Sequence, residues 1–262
     1  MAYRRKIIYY KDELNDEFST AVIVPRKIDE TWNYGGRGFC WNLAHFFIYR
    51  IIAVPVAWSY LKLKFSHKIV NRKVLKPYKG QSFFIYANHT NVFADPLVPT
   101  FVCWPKDAMV IVHPNNVSIP VLGRFLPYVG ALPLPDNLKA GRNFMETIKF
   151  HVSKKRAIMI YPEAHIWPFY TKIRPFFDSS FKYPVEYSTP VFCFTNVYKK
   201  RRFSKNPRMV TYVDGPFFAD ESLSAKEKRR SLRNQVFEAM CERSKLNEVE
   251  LIKYEKLENS EQ

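Results

Sequence analysis

SFFIYANHTNVFADP, residues 82–96, is the stretch from which the fold is read. A short β-forming run, 82–87, stops at Asn88-His89, and an aspartate follows at Asp95. Four further apolar runs have the same character: 108–112 (AMVIV), 157–161 (AIMIY), 190–197 (PVFCFTNV) and 209–213 (MVTYV). Runs of this length, rich in β-branched and aromatic residues, read as buried strands. Helix-like stretches lie between them, notably 97–104 and 138–153. Strands alternating with helices imply an α/β fold, a mixed central sheet flanked by helices. His89 then stands at the carboxyl end of a strand, where such sheets hold their ligands.

The chemistry that suits His89 and Asp95 is proton removal from an alcohol. Neutral imidazole is a competent base near neutral pH, and a carboxylate on its Nδ1–H fixes the tautomer and stabilises the imidazolium. The freed hydroxyl attacks a carbonyl directly, with no covalent enzyme intermediate. Spacing alone is weak evidence for it, since a lone His…Asp pair is more often a structural hydrogen bond.

Upstream, residues 38–61 (GFCWNLAHFFIYRIIAVPVAWSYL) are the most apolar part of the chain. The run is long enough to span a bilayer, yet Asn42, His45, Arg50 and Pro55 lie inside it. An arginine at mid-bilayer costs roughly 2.5–3.5 kcal/mol, and a proline kinks or ends a helix. The preferred reading is two short helices, broken near Pro55, lying in the plane of a membrane surface; a buried core helix and a true span are the alternatives. Seven basic residues and no acidic one follow over 62–79, which favours an anionic leaflet. The expected organisation is an N-terminal extension of membrane-docking helices, 1–79, and an α/β domain, 80–262. Residues 1–37 suggest no role. Residues 223–243 read as an amphipathic helix, and the last 18 residues as a loosely held tail.

The 262-residue chain carries 41 Lys and Arg against 24 Asp and Glu, a formal charge of +17, so a polyanionic partner is expected: a membrane face, a phosphorylated substrate or nucleic acid. No nucleic-acid module has a signature here, and the cations cluster beside the apolar segment, so no nucleic acid is expected. A second basic cluster, Lys199-Lys200-Arg201-Arg202 with Lys205 and Arg208, suits a solvated loop, a membrane contact or the docking face for an acidic carrier protein. Cys40, Cys103, Cys193 and Cys241 show no metal or disulfide spacing, and no signal peptide opens the chain, so reduced thiols in a cytoplasmic setting are expected. His165 beside Glu163 lacks further ligands at recognisable spacing, so no metal is expected.

ANHTNVFADP resembles the first motif of the glycerolipid acyltransferase family that includes 1-acylglycerol-3-phosphate acyltransferases: Asn-His, four residues, Asp. LGRFLPYVGALPLP (122–135), IMIYPEAHIWP (158–168) and STPVFCF (188–194) are similar, in order, to its second, third and fourth motifs. The resemblance covers about residues 80–215 and implies a glycerolipid-acyltransferase-like fold with His89 and Asp95 as the catalytic pair. It implies transfer of a fatty acyl group from acyl-ACP or acyl-CoA to a lysophospholipid hydroxyl. No cofactor beyond the thioester co-substrate is expected, and the protein would be peripheral or monotopic on the cytoplasmic face of the cell membrane. It gives Glu163 a part in placing the acceptor or supporting the histidine.

Three departures stand out. Five residues, not four, separate His89 from Asp95, a difference that a loop bulge tolerated by Asn91 would absorb. Asp136-Asn137 replace a basic residue of the second motif. Ala164, His165 and Ile166 replace the Gly-Thr-Arg that follows the third-motif glutamate. Acceptor phosphate binding would therefore shift to Arg124, Lys139, Arg142, Lys172 or Arg174; otherwise the acceptor is not lysophosphatidic acid. The oxyanion would be held by backbone N–H groups near the start of the helix after His89. An inactive lipid-binding homologue is the alternative reading, with a basic nucleic-acid-binding protein the less favoured one.

Overall fold

In the computed structural model, which describes residues 6–18, 23–36 and 38–257, nine strands form two sheets. Strands β1 (Lys6–Tyr10) and β9 (Ile252–Lys256) pair in parallel as a separate ribbon. The other seven are β2 (Lys68–Val70), β3 (Phe83–Ala87), β4 (Ala108–Val112), β5 (Ala131–Pro133), β6 (Ala157–Ile160), β7 (Val191–Lys199) and β8 (Arg208–Phe217). Their spatial order is β2-β8-β7-β3-β6-β4-β5. Every neighbouring pair is parallel except β7 with β8. The sheet is therefore mixed and flanked by helices.

Strand β3 is buried along its whole length because both faces are covered, the usual fate of a central parallel strand. On one face, Phe84 and Tyr86 join Phe144, Ile148, Leu232, Val236 and Met240. On the other, Phe83, Ile85 and Ala87 join Leu61, Phe65, Val98 and Val102. Each large side chain so buried contributes roughly 1.5–3 kcal/mol. The covering helices are α1 (Phe39–Phe65), α2 (Val98–Cys103), α3 (Leu138–Ser153) and α4 (Ala225–Ser244). Helix α3 begins at Asn137, whose side chain accepts the Ala140 N–H at 2.9 Å. Helix α4 begins with a capping box in which Ser224 and Glu227 satisfy each other's backbone N–H. Both caps use residue types that favour helix starts.

The apolar segment departs from the expected pair of short helices. It is one helix of 27 residues, with a π-helical stretch, Phe46–Ala53, just before Pro55. The Val54 N–H bonds to Tyr49 O, five residues back, and this widened turn accommodates the proline ring and its missing N–H without a break. Arg50 is not lipid-facing: it donates to Pro105 O at 2.7 Å and to Asp107 at 2.5 Å. His45, Tyr49, Ala57, Leu61 and Phe65 form the buried stripe, so the helix runs along the protein body. Phe39, Leu43, Phe46, Phe47, Ile51, Ile52, Val56 and Trp58 are exposed. The helix ends at Ser66 in the left-handed region, with Ser66 N–H on Lys62 O and His67 N–H on Leu61 O; the first of these is the bond of a left-handed helix cap, and the turn delivers His67 to β2.

The C-terminal tail is also a correction within the described residues. Val249 is buried, and β9 pairs with β1. Tyr10, Phe18, Tyr170 and Tyr254 pack around Trp167, so both ends of the described chain close over the loop that follows β6. Aromatic packing at long sequence separation outweighs the charged composition that suggested a loose tail.

Candidate active site

His89 lies just past the carboxyl end of β3, between the ends of β6 and β7. Its Nδ1 is 2.9 Å from Asp95 Oδ2. Asp95 is fully buried, whereas the His89 side chain is 22% exposed. The loop between them is wound by its own residues. Thr90 N–H and Asn91 N–H donate to Asp95 Oδ2 at 2.7 and 2.8 Å, and Asn91 Oδ1 accepts from Phe93 and Ala94 N–H. The extra residue is thus absorbed in a side-chain-capped turn at Asn91.

A carboxylate accepting several N–H donors is fixed in place. With Nδ1–H held by Asp95, the neutral ring presents the Nε2 lone pair, the arrangement a general base requires. Tyr161 stacks on the imidazole with centroids 4.4 Å apart, and its hydroxyl donates to Asp95 O at 2.6 Å. Burial, then the Asp95 charge, pushes that phenol well above its usual range, which keeps it a donor. The histidine backbone is pinned as well: Trp167 N–H donates to His89 O at 3.2 Å, and Phe169 N–H to Thr90 O at 2.7 Å.

Glu163 sits behind the histidine, buried, with both carboxylate oxygens engaged. Oε2 accepts His89 N–H at 2.9 Å, and Oε1 accepts Arg174 N–H at 3.0 Å. Burial raises its pKa, and the Arg174 charge and the two N–H groups oppose that rise. Arg174 is itself fully buried and donates to Glu163 O, His165 O and Glu13 O. The structure therefore brings Glu163 and Arg174 together in the wall beneath His89. Arg124, Lys139, Arg142 and Lys172 are exposed. Asp136 Oδ2 accepts Ile28 N–H at 2.6 Å and Asn137 caps α3, so the two residues that replace a basic one hold backbone instead. His165 Nδ1 faces Glu17 at 3.3 Å. Among the described residues, no three of His, Cys, Asp and Glu converge as a metal cluster.

The backbone N–H groups of Thr90, Asn91, Phe93, Ala94 and Asp95 all bond within the loop. An oxyanion cannot use them without breaking those bonds. Sequence reading missed Asn196, whose Nδ2 donates to Asp95 Oδ1 at 3.3 Å. A lone amide inside the largely apolar run 190–197 was the available signal.

The family model described as Acyltransferase matches residues 66–196, a span that contains His89, Asp95, Glu163 and Asn196. No curated protein sequence matches the chain. Among solved structures, the fold is similar to the crystal structure of the 1-acyl-sn-glycerophosphate (LPA) acyltransferase PlsC from Thermotoga maritima. The two share 16% sequence identity over 80% of this chain and 97% of that one, with a TM-score of 0.54.

Proposed function

Since this chain belongs to the acyltransferase family, we propose that it moves a fatty acyl group from acyl-ACP or acyl-CoA to the hydroxyl of a 1-acylglycerol-3-phosphate-like lysophospholipid, at a membrane surface. The observation that carries this reading is the 2.9 Å contact between a partly exposed imidazole and a buried carboxylate at the ligand edge of the sheet.

In the proposed step, His89 Nε2 takes the acceptor's hydroxyl proton as the oxygen bonds to the thioester carbonyl carbon. The tetrahedral intermediate collapses with cleavage of the C–S bond. The sulfur leaves with the proton from the imidazolium, giving an ester and a free thiol. Asp95 stabilises the imidazolium between these two events. The exposed cations Arg124, Lys139, Arg142 and Lys172 are the candidates for an acceptor phosphate. Glu163 and Arg174 support the histidine from below.

Turnover assayed with lysophospholipids and glycerol phosphate, each with acyl-CoA and acyl-ACP in the presence of liposomes, tests this. Transfer to at least one lysophospholipid is expected; lipid binding without turnover of any thioester would favour the inactive-homologue reading.

Membrane association is supported by the uncovered apolar side of α1 and the cations of 62–79. Because the helix packs along the protein body at His45, Tyr49, Ala57, Leu61 and Phe65, in-plane docking suits it better than a span. Replacing Phe46, Phe47 and Ile51 by serine removes three exposed apolar anchors without touching the buried stripe. Pelleting with vesicles containing phosphatidylserine should then fall at least roughly tenfold, since each lost side chain forfeits on the order of 1 kcal/mol or more. Undiminished pelleting of the triple variant would place the docking surface elsewhere.

A further inference from the structure

We propose that Asn196 is a positioning residue for the His89–Asp95 pair and that a buried chain running back to His67 sets its orientation. This rests on the reading of the pair as a general-base unit. Asn196 lies on β7 opposite Thr211 of β8, and His67 immediately precedes β2 on the far side of β8. Four contacts link them. His67 Nε2 is 2.8 Å from Thr211 Oγ1; Thr211 Oγ1 donates to Asn196 Oδ1 at 2.6 Å; Asn196 Nδ2 donates to Asp95 Oδ1 at 3.3 Å; and Asp95 Oδ2 meets His89 Nδ1. Asp95, Asn196 and Thr211 are fully inaccessible to water.

The chain has one direction. An ionised Asp95 only accepts, so Asn196 must turn its NH₂ toward it. The amide oxygen then faces Thr211, whose hydroxyl must donate. That hydroxyl accepts in turn, so His67 must present Nε2–H. Burial, with Lys62 nearby, depresses the His67 pKa to about 4, so the ring is neutral and can hold that tautomer across the working pH range. A flipped Asn196 would set oxygen against oxygen at Asp95 and leave Thr211 with two donors facing it, a poor arrangement where no water can compensate.

The side chain of Asn196 is separable from its structural role. The pairing with Asn88 uses the Asn196 backbone: Asn196 N–H to Asn88 Oδ1 at 2.8 Å, and Asn88 Nδ2 to Asn196 O at 3.0 Å. Alanine at 196 keeps both. It removes the one side-chain donor that the structure records on Asp95 Oδ1, while Oδ2 keeps three. The carboxylate is then held at Oδ2 alone, and rotation about its Cβ–Cγ bond, opposed until then by Asn196, shifts the imidazole with it. The other groups facing the pair are Tyr161, stacked on the ring; Tyr198, whose hydroxyl meets Thr90 Oγ1 at 2.9 Å; and Glu163, on the His89 N–H. None of them substitutes for the lost donor.

The test uses the full-length protein. Asn196→Ala is expected to lower kcat roughly 10- to 100-fold, the scale found when a partner orienting a functional ligand is removed, with acceptor KM little changed. The acid limb of the kcat/KM profile should move to higher pH, because a carboxylate stripped of a donor holds the imidazolium more strongly. Independently of substrate, the downfield Nδ1–H proton resonance of His89 should shift or broaden. Asn196→Ala/Thr211→Val avoids an orphaned hydroxyl and should show the same pattern. If neither folds, Thr211→Val alone, which removes the donor that orients the amide, is read the same way. Lost activity with an unmoved pH profile and an unchanged His89 resonance overturns the proposal, as does wild-type kinetics. If the wild-type protein turns over no acceptor but the resonance moves, the reaction reading fails and the positioning role stands.

Discussion

Replacing His89 by alanine is expected to lower acyl-transfer turnover by about 10³-fold, within the usual contribution of a positioned general base, while the fold survives. Turnover should fall because the acceptor hydroxyl loses the imidazole Nε2 as proton acceptor. The fold should survive because the bonds that tie residue 89 to its surroundings are carried by the backbone. Glu163 accepts its N–H, and its carbonyl accepts Trp167 N–H; alanine keeps both. Asp95→Asn should cost on the order of 10²–10⁴-fold, because an amide neither stabilises the imidazolium nor holds the tautomer. It should also destabilise the loop, since the wild-type carboxylate accepts from His89, Thr90, Asn91 and Asn196. Single-turnover transfer of a radiolabelled acyl group, with thermal melts of the same samples, measures both effects. A His89→Ala protein that melts normally and retains more than about a tenth of wild-type turnover would falsify the general-base assignment.

The second large effect concerns stability. Arg174→Met should destabilise the protein by about 3–5 kcal/mol, the typical cost of leaving one buried charge without its partner. A loss of this size lowers Tm by roughly 10 °C in a chain of such length. The guanidinium is fully buried and holds three carbonyls, of Glu163, His165 and Glu13, so its loss also removes one of the ties between the N-terminal segment and the loop after β6. The deficit should depend on pH. The Glu163 pKa is already raised by burial, with Arg174 the largest opposing influence, and without Arg174 it rises further. A carboxyl whose folded pKa exceeds its unfolded value binds its proton more tightly when folded. Stability from that group is therefore fully present below the unfolded pKa, near 4.5, and is lost as pH rises through the folded pKa. The variant should consequently lose more, relative to wild type, at pH 8 than at pH 5. Urea unfolding at both values is the measurement, and an equal deficit at both would argue that Glu163 is not the group left unsupported.

Glu163 and Arg174 show where the limit of sequence reading lies within the site. The resemblance marked Glu163 as functional, and simple charge marked Arg174 as a phosphate ligand. In the structure both face inward and hold backbone, Glu163 that of His89 and Arg174, and Arg174 that of Glu163, His165 and Glu13. Their burial depends on segments that converge from residues 13, 89 and 163–174, and no local pattern reports such convergence. Asn196 was hidden for the same reason. Most of its strand is apolar, and the partners that give it meaning lie 101 residues upstream and 15 residues downstream.

What the chain determined locally was its alternation of strands and helices. Strands β3, β4, β6, β7 and β8 each contain a run of β-forming apolar residues, α3 and α4 carry their own caps, and the six-residue spacing of His89 and Asp95 closes within one turn. These depend on contacts between residues close in sequence, which is why they are legible. Only the tertiary structure decided the strand order, the antiparallel β8, the π-helical passage before Pro55 and the pairing of β1 with β9. It alone also decided which buried polar groups stand behind the histidine. Those features are settled by the burial of side chains and the pairing of N–H and C=O groups between distant segments, a competition that no stretch of the sequence contains by itself.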